Sequence, residues 1–136
     1  MHRSLVLAAT VTGFTLGLSA MAIPNPPAPK SKAVVVKAVD LSATAFRFEP
    51  TDITVNLGDT VRFVQTTAMP HNVEFKVTPP GANLGDARMG PFMLAPGEKY
   101  EIVIDSRFTV GKYGFVCTPH EAMGMKGTIT VTAGGK

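Results

Sequence analysis

Residues 52–65 read DITVNLGDTVRFVQ. Ile53 and Val55 alternate with polar neighbours before the turn at Gly58-Asp59, and Val61 and Phe63 do the same after it. A period of two marks a strand with one buried face, so the stretch predicts two short strands around a turn. The pattern extends in both directions. Upstream lie AVVVKAV (33–39) and ATAFRFEP (43–50); downstream lie NVEFKV (72–77), EKYEIVI (98–104), KYGFVC (112–117) and KGTITVT (126–132). Turn residues separate them. About seven to eight such strands predict an all-β, antiparallel sandwich. Side chains two apart share a face, so Val61 and Phe63, Val73 and Phe75, Ile102 and Ile104, and Ile129 and Val131 are the expected inward pairs, with Phe46 and Phe48 adding bulk.

One stretch breaks the pattern. TPPGANLGDARMGPFMLAPG (78–97) holds four prolines and four glycines. It predicts a long surface loop with a short helical piece near Leu84 to Met89. Loops of this length often carry function.

The chain has 136 residues, enough for one domain. Its first residues read as an export signal. His2 and Arg3 precede an apolar run, and Ala20-Met21-Ala22 fits a small-x-small cleavage site. The competing reading is a membrane anchor, but the run contains Thr, Ser and Gly and lacks a basic flank after it. The expected organisation is a signal peptide over 1–22, a proline-rich lead-in over 23–33 and one domain over 34–136. Cleavage after Ala22 removes only Arg3 among the charged residues. That leaves 12 basic against 10 acidic residues, too little excess to argue for a nucleic-acid partner.

Cys117 is the only cysteine. In an oxidising compartment cysteines pair, so a lone one is an intermolecular disulfide, a buried small apolar residue or a ligand. Its neighbours argue for the ligand. GFVCTPHEAMGM (114–125) places His120 three residues on, then Met123 and Met125. A second imidazole is available at His71, just after Pro70 and at the start of a strand pattern. One thiolate, two imidazoles and a thioether make a mixed soft set. Thioether disfavours Mg²⁺ and Ca²⁺, and zinc sites rarely use it. A trigonal Cys-His-His set with a long methionine bond suits copper in both Cu(I) and Cu(II). Singly, a cysteine, a histidine or a methionine is more often packing than ligand. Their joint placement at one end of a sandwich is what favours the metal. The residues alone leave both methionines open.

The segments ITVNLGDTVRF, PHNVEF, LAPGEKYEI and KYGFVCTPHEAMGMKGTITV carry a family resemblance. Over residues 34–132 the chain resembles the cupredoxins, the small blue copper proteins with a Greek-key sandwich. Its ligand loop looks like that of pseudoazurin. The 45 residues between His71 and Cys117, and the short end after the last strand, look like plastocyanin. The resemblance implies one type 1 copper held by His71, Cys117, His120 and a methionine. In this family the ligand methionine is followed by x-Gly and the last strand. Met125-Lys126-Gly127 fits that and Met123 does not, so Met125 is the expected ligand. Asn72 would tie the two ligand-bearing segments together, with its backbone N–H aimed at the thiolate.

The resemblance further implies a soluble, monomeric one-electron carrier rather than an enzyme. Electrons would pass by the exposed edge of His120, ringed by an apolar docking face of Met69, Pro70, Phe92, Ala95, Pro96, Pro119, Ala122 and Met123. Arg88, Lys112 and Lys126 would rim that face, with Glu121 inside the loop. The acidic patches of plant plastocyanins are missing. The expected partners are redox proteins: a c-type cytochrome, or a membrane or periplasmic oxidoreductase. The expected location is the periplasm or an equivalent space such as the thylakoid lumen. The alternative function is copper storage or delivery, suggested by the cluster of methionines.

Overall fold

The computed structural model describes residues 31–134. The expected signal peptide and most of the lead-in lie outside the described residues. Eight strands follow: β1 (Ala33–Ser42), β2 (Ala45–Glu49), β3 (Asp52–Asn56), β4 (Thr60–Gln65), β5 (Glu74–Val77), β6 (Lys99–Val103), β7 (Gly111–Val116) and β8 (Lys126–Thr132). They form two four-stranded sheets in the orders β2-β1-β4-β6 and β3-β8-β7-β5. Each sheet buries one face, and the burial alternates along the strands as the period of two requires, most cleanly in β4 and β8. All four expected inward pairs are buried, as are Phe46 and Phe48.

The pairing is not wholly antiparallel. β1 runs parallel to β4, with Val36 opposite Phe63, and β3 runs parallel to β8, with Ile53 opposite Ile129. The reason is the turn at Gly58-Asp59. It does not close a hairpin: it carries the chain from β3 in one sheet to β4 in the other. Gly58 takes a positive φ of 95° there, which a side chain would resist. Asp59 holds the crossing, accepting the N–H of Asn56 at 2.9 Å and of Lys32 at 2.8 Å.

Between the sheets, aromatic rings meet edge to face. The Phe115 ring lies 4.9 Å from Phe48 and 5.3 Å from Phe63, centre to centre. The buried Tyr113 hydroxyl accepts the Thr109 N–H at 2.7 Å and donates to the Thr109 carbonyl at 2.9 Å. A polar atom in the core is thereby satisfied, and the corner entering β7 is pinned.

The segment expected as a long loop contains one short 3-10 helix, Gly85–Arg88. The loop is not free of the sheets. His71 and Met93 exchange backbone hydrogen bonds at 3.1 and 2.8 Å, and Gly90 donates to Val73. Among the described residues no helix is long and apolar enough to cross a membrane.

Candidate metal centre

Two segments at the same end of the second sheet, the entry to β5 and the exit from its antiparallel neighbour β7, build the site. His71 sits just before β5 and is fastened by its backbone exchange with Met93. Cys117 follows β7 directly. The chain then makes a 3-10 turn, Thr118–Met123, that carries His120, and Gly124 turns it back at a φ of 83°. Three backbone bonds close this loop: His120 N–H to Cys117 O at 3.1 Å, Met125 N–H to His120 O at 3.1 Å, and Cys117 N–H to Met125 O at 3.0 Å. Cys117, His120 and Met125 are thus locked to one another before any side chain is considered.

The side chains converge. The Nδ1 atoms of His71 and His120 lie 3.0 Å apart, and Cys117 Sγ lies 3.5 Å from the first and 3.4 Å from the second. All three residues are buried. A point about 2.0 Å from both nitrogens and about 2.3 Å from the sulfur, ordinary metal–nitrogen and metal–thiolate bond lengths, exists just off the plane of these three atoms. Two imidazoles and a thiol at these separations fit one copper ion.

The methionines divide clearly. Met125 is 0 % exposed and belongs to the closed loop, whereas Met123 is 49 % exposed. His120 keeps only 6 % of its surface, less than an exposed edge suggests. The reason is Phe46, whose ring stacks on the imidazole at 3.9 Å and 19°. Met69, Met89, Phe92, Leu94 and Met123 are all exposed large apolar residues, while Met93 is buried. Pro70, Ala95, Pro96, Pro119 and Ala122 are exposed, as are Arg88, Lys112, Glu121 and Lys126.

Asn72 joins the two segments as expected. Its side-chain oxygen accepts the Thr118 N–H at 2.8 Å, and its amide donates to Thr118 Oγ1 at 3.0 Å. Thr118 Oγ1 donates in turn to Glu74 at 3.1 Å. The Lys76 ammonium first, and this hydroxyl with it, hold the Glu74 carboxyl below its ordinary range despite some burial.

Burial pushes the Cys117 thiol up, against the backbone N–H groups of Asn72 and His120 that point at its sulfur. Burial likewise lowers His120, and the neighbouring His71 lowers it further. The metal-free pocket therefore favours a neutral thiol and a neutral His120. A metal ion would take the thiol proton outright.

Three contributors escaped the sequence reading. Asp40, two residues before the end of β1, places Oδ1 2.7 Å from His71 Nε2. Phe46 was legible as core bulk but not as the ring on His120. Thr118 is the partner that makes Asn72 a cross-link. None has a motif: Asp40 is 31 residues from the histidine it touches.

Residues 35–132 match the family model described as copper binding proteins, plastocyanin/azurin family. A plastocyanin of Scenedesmus fuscus is 43 % identical over 89 residues, covering 64 % of this chain and 88 % of that one. A plastocyanin of Prochlorothrix hollandica is 39 % identical over 104 residues, covering 76 % of this chain and 77 % of its own. Among solved structures, a mutant fern plastocyanin superposes with a TM-score of 0.57 at 30 % identity, covering 73 % of this chain and all of that one. The two mixed sheets, the buried His-Cys-His triad and these similarities agree: the chain belongs to the plastocyanin/azurin family of copper-binding proteins, the cupredoxins.

Proposed function

We propose that this protein is a one-electron carrier with a single type 1 copper held by His71, Cys117, His120 and Met125. The observation that carries the reading is the buried triad of two Nδ1 atoms and one Sγ, all within 3.5 Å of one another. Met125 completes the set because its backbone is bonded to both other loop ligands and its side chain is buried. Copper would supply the Cu(I)/Cu(II) couple and the strong thiolate-to-metal absorption. The rest is done by the chain. The closed loop and the His71–Met93 exchange hold the donors in place without metal, so little rearrangement accompanies a change of charge. The amides of Asn72 and His120 stabilise the thiolate.

His120 is the port for electrons. The exposed Met69, Pro70, Phe92, Pro96, Pro119 and Met123 form an apolar docking face for a redox protein, such as a c-type cytochrome or a membrane or periplasmic oxidoreductase. Contacts of this kind form and break quickly. Both histidines outside the N-terminal segment are committed to the site, which leaves none for a catalytic centre. The N-terminal segment directs export, by cleavage near Ala22, to the periplasm or a similar space, where the protein acts as a monomer.

The test is to load the full chain with Cu²⁺ and record its visible spectrum. An intense band near ~600 nm is expected, and Cys117→Ser must remove it. A colourless copper complex would refute the ligand assignment. The exposed Met69, Met89 and Met123 favour a second reading, copper storage or delivery, because thioethers bind Cu(I). Rapid loss of copper to a chelator, with the fold kept, would support that reading over the first.

A further inference from the structure

The hairpin of β1 and β2 reaches over the site from the other sheet. Asp40 and Phe46 face each other across it, beside a register shift that falls between Asp40 and Ser42. Irregularities of this kind re-aim side chains. Phe46 covers His120, and Asp40 meets His71 on the ring nitrogen that faces away from Cys117.

The carboxylate is itself held in place. Met69 N–H donates to Asp40 Oδ2 at 3.1 Å, and Asp40 N–H donates to Thr67 Oγ1 at 3.0 Å. The segment that presents these groups is anchored from inside the sandwich. The wholly buried Gln65 donates its amide to the Thr67 carbonyl at 2.7 Å and to that of Met69. An ionised carboxylate only accepts hydrogen bonds, so His71 Nε2 must carry the proton. In the neutral imidazole Nδ1 is then a bare lone pair, turned toward His120 and Cys117.

We propose that Asp40 is a positioning residue of the metal centre: it fixes the His71 tautomer that offers Nδ1 to copper and enriches that nitrogen with electrons. The proposal rests on the reading of His71 as a ligand. In the metal-free protein it gives a directed chain, in which Asp40 accepts from His71 Nε2 and His71 Nδ1 accepts from His120 Nδ1. The added negative charge favours Cu(II) over Cu(I). Asp40 therefore helps to set the potential as well as the geometry.

Asp40→Asn separates this role from simple support. The Met69 N–H needs an acceptor, so the new side chain turns its oxygen there. Its NH₂ then faces His71 Nε2 and drives the imidazole proton to Nδ1, on the metal side. Three measurements on the full chain test this. In the metal-free parent, ¹⁵N NMR of the imidazoles should show Nε2–H on His71, and in Asp40→Asn it should show Nδ1–H. Affinity for Zn²⁺, used as a probe of the donor set, should fall roughly 10–100-fold. The copper potential should rise by about 59 mV for each tenfold by which Cu(II) is weakened more than Cu(I). Asp40→Glu should recover part of both changes.

Finding Nε2 bare in the parent overturns the proposal without need of any variant. So does an Asp40→Asn protein that keeps the parent tautomer, affinity and potential. Loss of stability with all three unchanged reduces Asp40 to packing. If instead His71→Ala retained the blue copper spectrum, the ligand assignment itself would fall, a separate outcome.

Discussion

Replacing Asn72 by alanine removes both of its hydrogen bonds to Thr118, at 2.8 and 3.0 Å, from a side chain that is almost wholly buried. These bonds join segments 46 residues apart. Each contributes about 1 kcal/mol net, so the metal-free protein should lose about 2 kcal/mol. For a domain of about 100 residues that is a fall in Tm of about 8–16 °C, or roughly 1 M in the urea midpoint. Metal-free protein is the right sample, because bound copper would add its own stabilisation. Thr118→Ala keeps the backbone bond and loses the hydroxyl's contacts with Asn72 and Glu74, so it should cost about 1–2 kcal/mol. The two changes together should cost less than their sum, with a coupling of about 0.5–1 kcal/mol. A fall of less than about 2 °C for Asn72→Ala, or strict additivity with Thr118→Ala, would refute the claim that this pair links the two halves of the site.

Met125→Ala should destabilise the metal-free protein by about 2–5 kcal/mol, since Met125 is fully buried, while Met123→Ala should change it by no more than about 0.5 kcal/mol. Urea titration distinguishes them, and only the first should alter the copper spectrum. Phe46→Leu removes the ring stacked on His120 and should cost about 1–2 kcal/mol in the same titration. Asp59 supplies a pH dependence. The N–H groups of Asn56 and Lys32 lower its carboxyl below the ordinary 3.8. A depressed acid stabilises the fold fully above its ordinary value and loses that effect as the pH falls through the lowered one. The stability gap between the parent and Asp59→Ala should therefore be widest at neutral pH and narrow below about pH 4; a gap that is flat or widens in acid contradicts the assignment.

Much of this molecule could be read from residue order, because the governing signals are local. A buried face every second residue reveals a strand wherever it occurs, which is why Val61, Phe63, Ile129 and Val131 were assignable to the core. Cys117, His120 and Met125 lie within one loop, so their chemistry is visible as a motif. Partner choice is not local. Nothing in AVVVKAVD says that β1 will lie parallel to β4, or that Asp40 will meet His71. The turn at Gly58-Asp59 has the composition of a hairpin, yet it joins two sheets, because β3 and β4 each gain more from strands far along the chain. The exposed edge expected for His120 shrank for the same reason: Phe46 arrives from the opposite sheet, and its pairing with that ring has no trace in the spacing.

The place of β8 has a consequence for the order of assembly. It lies inside its sheet, between β3 and β7, not at an edge. Until Lys126–Thr132 has docked, β3 has no neighbour in that layer and the loop holding Cys117 and His120 has only one anchored end. Closure of the fold thus waits on contacts between residues far apart in the chain, which makes it slow relative to helical proteins. A chain still emerging from a ribosome could not bring His71, Cys117 and His120 together. Metal capture by that triad is then a late event, following completion of the polypeptide.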